Sequence, residues 1–268
     1  MKKILFINHK IAPYVSECEM SLMGRRVPQA VQENGSEIRT FMPKWGDINE
    51  RRGQLHEVQR LSGMNIIIDD TDHPLIIKVA SIPQTKIQVY FIDNDEYFFK
   101  LKAGQEEKDL TATEVGERAI FFARGVIETM KKLRWSPDII HCQGWMSYFV
   151  PLYIKKAYQD EPSVCNAKIV TSLFDETPSS PFETNMKEKI AFKDISADTL
   201  ADYPDNFSMD DLYRLAIDNS DGIIAASQNI APEVIKMAES SKANFLPYTG
   251  EDFKEDYLKF YDSLFDAE

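Results

Sequence analysis

Glycine is scarce where a nucleotide-binding chain would need it. Only 11 glycines occur in 268 residues, and none lies in the loop Asn8–Glu19 after the first apolar run. A phosphate-cradling loop uses glycines so that backbone N–H groups can approach the anion, usually with a cation nearby. Here Glu17 and Glu19 stand in that place instead. Cysteine is scarce too. Cys18, Cys142 and Cys165 are odd in number and widely spaced, which excludes a disulfide framework and a thiolate zinc site. They read as small buried hydrophobes. Basic residues are outnumbered, 31 Lys and Arg against 43 Asp and Glu, for a net charge of -12. Such a surface repels phosphate backbones and anionic lipid, so nucleic-acid and membrane partners are not expected, a local basic patch aside. No apolar run approaches the ~18 residues of a membrane span. Met1-Lys2-Lys3 leads only into the short run Ile4–Ile7, with no secretory leader, so a cytoplasmic location is expected. The hydrolase, Walker and zincin motifs are missing as well. No cofactor and no metal is expected; Asp69, Asp70, Asp72 and His73 have ligating side chains but lack calcium-loop spacing, and read as a solvated turn.

What is present is an alternation of buried runs and helical periods. Lys3–His9 reads as a strand, Met20–Asn34 as a helix closed by Gly35, and Glu37–Met42 as a second strand, together a β-α-β unit. Met64–Ile68, Leu75–Ile82 and Ile87–Ile92 are β-rich runs with no helix between them, and predict a small antiparallel insertion within Leu55–Asp93. A long helix follows from Thr113 to about Leu133, with Glu114 and Glu117 in its first turn and Lys131, Lys132 and Arg134 at its end. Ile139–Cys142, Ala167–Leu173 and Asp221–Ala226 read as further strands, with helices over Tyr148–Tyr158, near Leu212–Ile217 and over Pro232–Ser240. Asp175–Asp211 reads as irregular with short helices. The fold class is α/β: one doubly wound, Rossmann-like domain over residues 1–249, with an amphipathic helix in 250–268 carrying Phe253, Tyr257, Phe260, Tyr261 and Leu264 on one stripe.

Ligands of such sheets sit outside the carboxyl ends of the strands. The cleft candidates there are Tyr14, His141, Trp145, Asp175 and Glu176. His141 reads either as an acid/base or sugar-contacting group or as a histidine hydrogen-bonded under the next helix, and the second is the commoner situation. Trp145 reads as a sugar platform or as core, with core favoured. Asp175 and Glu176 suit a general base or a helix cap equally.

Several ordered motifs resemble the bacterial glycogen synthases and plant starch synthases, glycosyltransferase family 5. They are Ile11-Ala12-Pro13-Tyr14-Val15, Phe41-Met42-Pro43-Lys44-Trp45-Gly46, and Val89-Tyr90-Phe91-Ile92-Asp93-Asn94 followed by Tyr97-Phe98. Glu117-Arg118 with Phe121, Phe122 and Arg124 adds a fourth, Trp135–His141 with Trp145 and Pro151-Leu152-Tyr153 a fifth, and Ala216–Ser227 a sixth. The resemblance runs from Lys3 to about Ala243. It implies the N-terminal half of a GT-B fold and a chemistry of glucosyl transfer from ADP-glucose to an α-glucan.

The same resemblance marks departures. The family's strand-one Lys-Thr-Gly-Gly-Leu is Ser16-Glu17-Cys18-Glu19-Met20 here, its active-site Asp falls at Gly144, and its His after the next strand at Phe174. No catalytic position is therefore expected intact, with Ser16, Gly144 and Phe174 in the three places. Family enzymes are nearly twice as long and carry a second Rossmann-like domain. The expectation is a stand-alone N-terminal-type domain without autonomous synthase activity, which binds an α-glucan or a protein partner. The alternative is a split synthase whose C-terminal domain another chain supplies. Oligomeric state is left open.

Overall fold

The computed structural model describes residues 1–99, 112–178 and 180–265. Ten strands form its sheet: β1 (Lys3–Asn8), β2 (Glu37–Pro43), β3 (His56–Glu57), β4 (Met64–Ile68), β5 (Thr71–Ser81), β6 (Gln88–Asp93), β7 (Ile139–Gln143), β8 (Lys168–Leu173), β9 (Gly222–Ala225) and β10 (Asn244–Leu246). Their order is β10-β9-β8-β7-β1-β2-β6-β5-β3, with β4 pairing β5 off that path. Every pair from β10 through β6 is parallel. Only β3, β4 and β5 add antiparallel pairs.

This is the mixed, mostly parallel α/β sheet expected, and its antiparallel pairs all fall within Leu55–Asp93. The run Ile87–Ile92 joins the two parts: β6 is antiparallel to β5, with Ile77 opposite Ile92, and parallel to β2, with Thr40 opposite Val89. A parallel return needs a crossover, which is usually a helix. Here the excursion through β3, β4 and β5 serves as that crossover. The turn between β4 and β5 is tighter than the cluster Asp69–Pro74. It consists of Asp69 and Asp70, with Ile68 paired to Thr71 and Asp69 left-handed at φ 53°. His73 is therefore a buried strand residue, with its Nδ1 2.9 Å from Glu96 and its Nε2 3.0 Å from the Tyr97 hydroxyl.

The helices are α1 (Glu19–Glu33), α2 (Glu50–Gly53), α3 (Ala112–Leu133), α4 (Val150–Leu152), α5 (Met186–Ile190), α6 (Met209–Asp218), α7 (Pro232–Ser240) and α8 (Lys254–Ser263). The side chain of Glu114 lies outside the described residues, as does Asp266. The helix expected over Tyr148–Tyr158 is broken into a 3-10 turn at Trp145–Ser147, the single turn α4 with Pro151 near its start, and a π turn at Tyr153–Ala157. Among the described residues no helix is long and apolar enough to cross a membrane.

Strand periodicity sorts the core into two layers, because alternate side chains point to opposite faces. Leu5, Ile7, Ile140, Cys142, Ile169 and Ile223 face α3, α6 and the turns after β7. Ile4, Phe6, Ile139, Val170 and Ile224 face α1 and α8. Among the described residues, these two helices cover the second face. Phe253, Tyr257, Phe260, Tyr261 and Leu264 are all buried against it. Glycine at 222 makes the fit possible: a Cβ there would stand 2.9 Å from the Phe260 ring. The ion pair Lys2–Asp262 and the Lys2 ammonium 4.8 Å over the Phe265 ring fasten the far end.

Burying these five side chains contributes several kcal/mol, at roughly 1.5–3 kcal/mol each. Phe260→Ala is expected to cost about 3–5 kcal/mol in urea unfolding. Ending the chain after Thr249 should lower the melting temperature or cause aggregation, measured by calorimetry and light scattering. A truncated protein that stays monomeric and melts as the parent does would show that α8 adds nothing to the fold.

Candidate functional site

The chain leaves β1 toward β2 on one side and later returns to β7 on the other, so the crevice between β1 and β7 is the topological switch point. Ligands of open α/β sheets bind outside the strand ends at such a point. The loops there are laced together. The His9 N–H donates to the Gln143 carbonyl at 2.9 Å, and the Lys44 N–H to the Ile92 carbonyl at 2.9 Å. The Trp45 indole N–H donates to the His9 carbonyl at 3.0 Å. The His9 ring lies 5.4 Å from the Trp45 ring and 5.3 Å from the Trp145 ring. Trp145 is fully buried and stacks edge-on to Phe182, so it is part of the floor and not a surface sugar platform.

His141 also lies below the surface. It sits within β7 on the face covered by α8, fully buried, with Nδ1 2.6 Å from the Tyr261 hydroxyl and Nε2 2.7 Å from Ser172 Oγ. A neutral ring donates through one nitrogen and accepts at the other, so both bonds are satisfied. Burial pushes its pKa from 6.5 down to about 3. Of the two sequence readings, the structure takes the histidine beneath a helix and removes His141 from the cleft.

Three of the cleft candidates, Asp175, Glu176 and Tyr14, do reach the rim or its edge, as does Ser16. Asp175 is exposed and accepts from the Ser227 hydroxyl at 3.3 Å. Glu176 is half-buried and forms an ion pair with Lys10, which ties the β8 and β1 loops together. Ser16 is exposed, with its carbonyl accepting from the Ser21 hydroxyl at 3.0 Å. Tyr14 is half-buried, edge-on to Phe91 at 4.9 Å, with its hydroxyl pushed up to about 12 by burial. It lines a recess of about 590 Å³ with Asp47, Asn49, Arg52 and Ser81. A second recess, about 280 Å³, lies between α1 and the 248–251 turn, lined by Glu19, Arg26, Tyr248, Glu251 and Tyr257.

The start of α1 offers little to an anion. Cys18 caps it: the Ser21 N–H donates to Cys18 Sγ at 3.4 Å, and the Cys18 N–H donates to Ser21 Oγ at 2.9 Å. Glu17 and Glu19 are both exposed beside this cap. Phe174 is buried, and its backbone carbonyl accepts from the Tyr213 hydroxyl at 2.7 Å.

Gly144 is the most constrained position of the site. Its φ of 85° and ψ of 156° lie in a region essentially reserved for glycine. A Cβ there would stand 2.7 Å from both His9 Cβ and Met20 Sδ. The volume an acidic side chain would need is filled by Met20, the first apolar residue of α1.

Sequence reasoning passed over one charged group at this end. Lys44 and Lys78 both reach Glu50, at 2.8 and 2.7 Å, and Lys78 also reaches Asp93 at 2.8 Å. Burial raises the Glu50 pKa, but the two lysines outweigh it and hold the carboxyl below its ordinary value. At Asp93 burial dominates and the pKa stays raised despite Lys78. The signal was there: Lys44 and Asp93 each sit in one of the recurring motifs, and the network joins the two. Among the described residues no group of three or more His, Cys, Asp and Glu is placed to hold a metal ion.

Comparison with known proteins supplies the family. The profile of the "Starch synthase catalytic domain" family matches residues 3–246. A glycogen synthase of Chlorobium luteolum is 32% identical over 239 residues, which is 87% of this chain and 47% of the relative. A glycogen synthase of Chlorobium phaeovibrioides is 38% identical over 161 residues, 59% of this chain and 32% of the relative. The chain thus spans about half the length of the curated relatives it matches. In structure it is similar to the catalytic domain of starch synthase IV from Arabidopsis thaliana, solved bound to ADP and acarbose. That likeness has a TM-score of 0.73 at 16% identity, covering 92% of this chain and 51% of the other.

Two outcomes follow from the geometry. Gly144→Ala is expected to destabilise by about 1–3 kcal/mol from backbone strain alone, and Gly144→Asp by more, read from denaturant midpoints. The buried neutral His141 makes stability pH-dependent. The unfolded ring takes up a proton near pH 6.5 while the folded ring resists until about pH 3, so the unfolded state binds more protons between them. The contribution is full above pH 6.5 and is lost as pH falls, by up to roughly 1.4 kcal/mol per pH unit. His141→Gln should flatten that part of the stability–pH curve.

Proposed function

We propose that this chain, which belongs to the starch synthase catalytic-domain family, binds an α-glucan at its strand-end rim and does not by itself transfer glucose to it. The observation that carries the reading is the chemistry of that rim. Its exposed groups include the carboxylates of Glu17, Glu19, Asp175 and Glu251 and the ring of Tyr248, 39% exposed, with the Arg26 guanidinium beside them. Carboxylates accept from sugar hydroxyls and a tyrosine ring covers an apolar sugar face, whereas two carboxylates at the helix start oppose a pyrophosphate. Lys10, the basic residue nearest in sequence to the place of the family's donor-loop lysine, is neutralised by Glu176. The Gly144 backbone has no room for the acid the family carries there.

The losses are large on the scale of transition-state stabilisation, since one preorganised group is commonly worth about 2.7–4 kcal/mol. They also weigh against the split-synthase reading. A second domain from another chain would not restore the lysine, the aspartate or the histidine, whose places Ser16, Gly144 and Phe174 hold.

The test is calorimetry with maltoheptaose and with ADP-glucose, beside incorporation of radiolabelled glucose into glycogen. Maltoheptaose is expected to bind, with Tyr248→Ala weakening it at least about tenfold, and label should not exceed the no-protein control. Incorporation above that control, or ADP-glucose binding without glucan binding, would sink the proposal.

A further inference from the structure

A different recess lies at the amino ends of the strands, where α3 ends just before β7 begins. It has a volume of about 790 Å³ and is lined by Arg60, Lys131, Lys132 and Arg134 against a single carboxylate, Glu128. In a chain of net charge -12 this is a local reversal of sign. Glu128 is already engaged, accepting from Lys131 at 2.8 Å and from the Tyr158 hydroxyl at 2.7 Å. Arg60, Lys132 and Arg134 are exposed, and no carboxylate among the described residues pairs with them.

The helix dipole accounts for part of this. Cations at a helix C-terminus are favourable, which covers Lys131, Lys132 and Arg134. It does not account for Arg60, which arrives on the connection between β3 and β4. That connection is held to the helix end by Lys132, whose ammonium reaches the Leu61 and Ser62 carbonyls at 3.4 and 3.5 Å. Nor does the dipole account for the backbone at Arg134, which is left-handed at φ 51° in the place after a helix where glycine is the usual residue. The turn is held by a strained arginine where glycine would relieve the strain. Like charges gathered from two segments, with a strained backbone under one of them, mark a site organised for an anion.

We propose that this recess binds a soluble polyvalent phosphate of the pyrophosphate class. Three unpaired cations match an anion of three to four charges, and two of them are arginines, whose planar forks take phosphate oxygens in pairs. The inference is independent of the glucan reading, because the recess and the rim lie at opposite ends of the strands.

Calorimetry with sodium pyrophosphate at low salt tests it directly. The parent protein is expected to bind, Arg60→Gln/Arg134→Gln to bind at least about tenfold more weakly, and Arg26→Gln, a rim variant, to bind as the parent does. Arg134→Gly separates binding from folding. It relieves the left-handed backbone, so it should melt at or above the parent temperature while losing affinity. Vesicles of phosphatidylglycerol are expected not to co-sediment with the protein. Absence of pyrophosphate binding, equal affinity in the double variant, or vesicle binding that the double variant abolishes would each overturn the assignment.

Discussion

A polar ring buried in the middle of a parallel sheet has to find two hydrogen-bond partners, and this requirement organises the molecule. His141 stands in β7 between the central strands, far from water. Ser172, on the neighbouring strand β8 two residues beyond the position paired with His141, supplies one partner from within the sheet. The other comes from Tyr261 on α8. An unsatisfied buried nitrogen would cost about 1–3 kcal/mol, so α8 is both an apolar cover and the source of the missing bond. Its position in turn fixes Phe260 over Gly222 and places Tyr257 at the floor of the recess beside α1. The rim on one side of the sheet is therefore shaped by a helix packed underneath it.

Much of the architecture was legible in the sequence because it rests on local periods. The alternation of Ile4, Phe6, Leu5 and Ile7 and the stripe Phe253–Leu264 each report a buried face by spacing alone. The misplaced features depend on partners far along the chain. β6 pairs antiparallel with β5 as its sequence neighbourhood suggests, but its parallel pairing with β2 on the other side has no local signal. β10 has three residues and therefore no period, so it was not anticipated. His73 looked like part of a polar turn because its partners, Glu96 and Tyr97, lie 23 and 24 residues away. At the site, Asp175 and Glu176 were found by their place after a strand. Gly144 was found only through resemblance, since one glycine carries no signal of the Met20 side chain that crowds it.

The two ends of the strands differ in electrostatic character. At the carboxyl ends, three lysines are taken up by neighbours, Lys10 by Glu176, and Lys44 and Lys78 by Glu50 and Asp93, while Arg26 and Arg52 stay exposed. At the amino ends, Arg60, Lys132 and Arg134 stand unpaired among the described residues. Sheets of this class ordinarily concentrate ligand chemistry at the carboxyl ends. Here the start of α1 is capped and flanked by carboxylates, and a cluster of cations lies at the other end.

The docking of α8 also sets when this protein can fold during its own synthesis. The face of β1 is completed by residues far along the chain; Lys2 and Asp262, which pair, are separated by 260 positions. Such separation raises the contact order and slows closure. Until α8 emerges, a nascent chain holds Ile4, Phe6, Ile139, Val170 and Ile224 under α1 alone, with His141 lacking its tyrosine. An apolar sheet face left open over that interval is aggregation-prone surface.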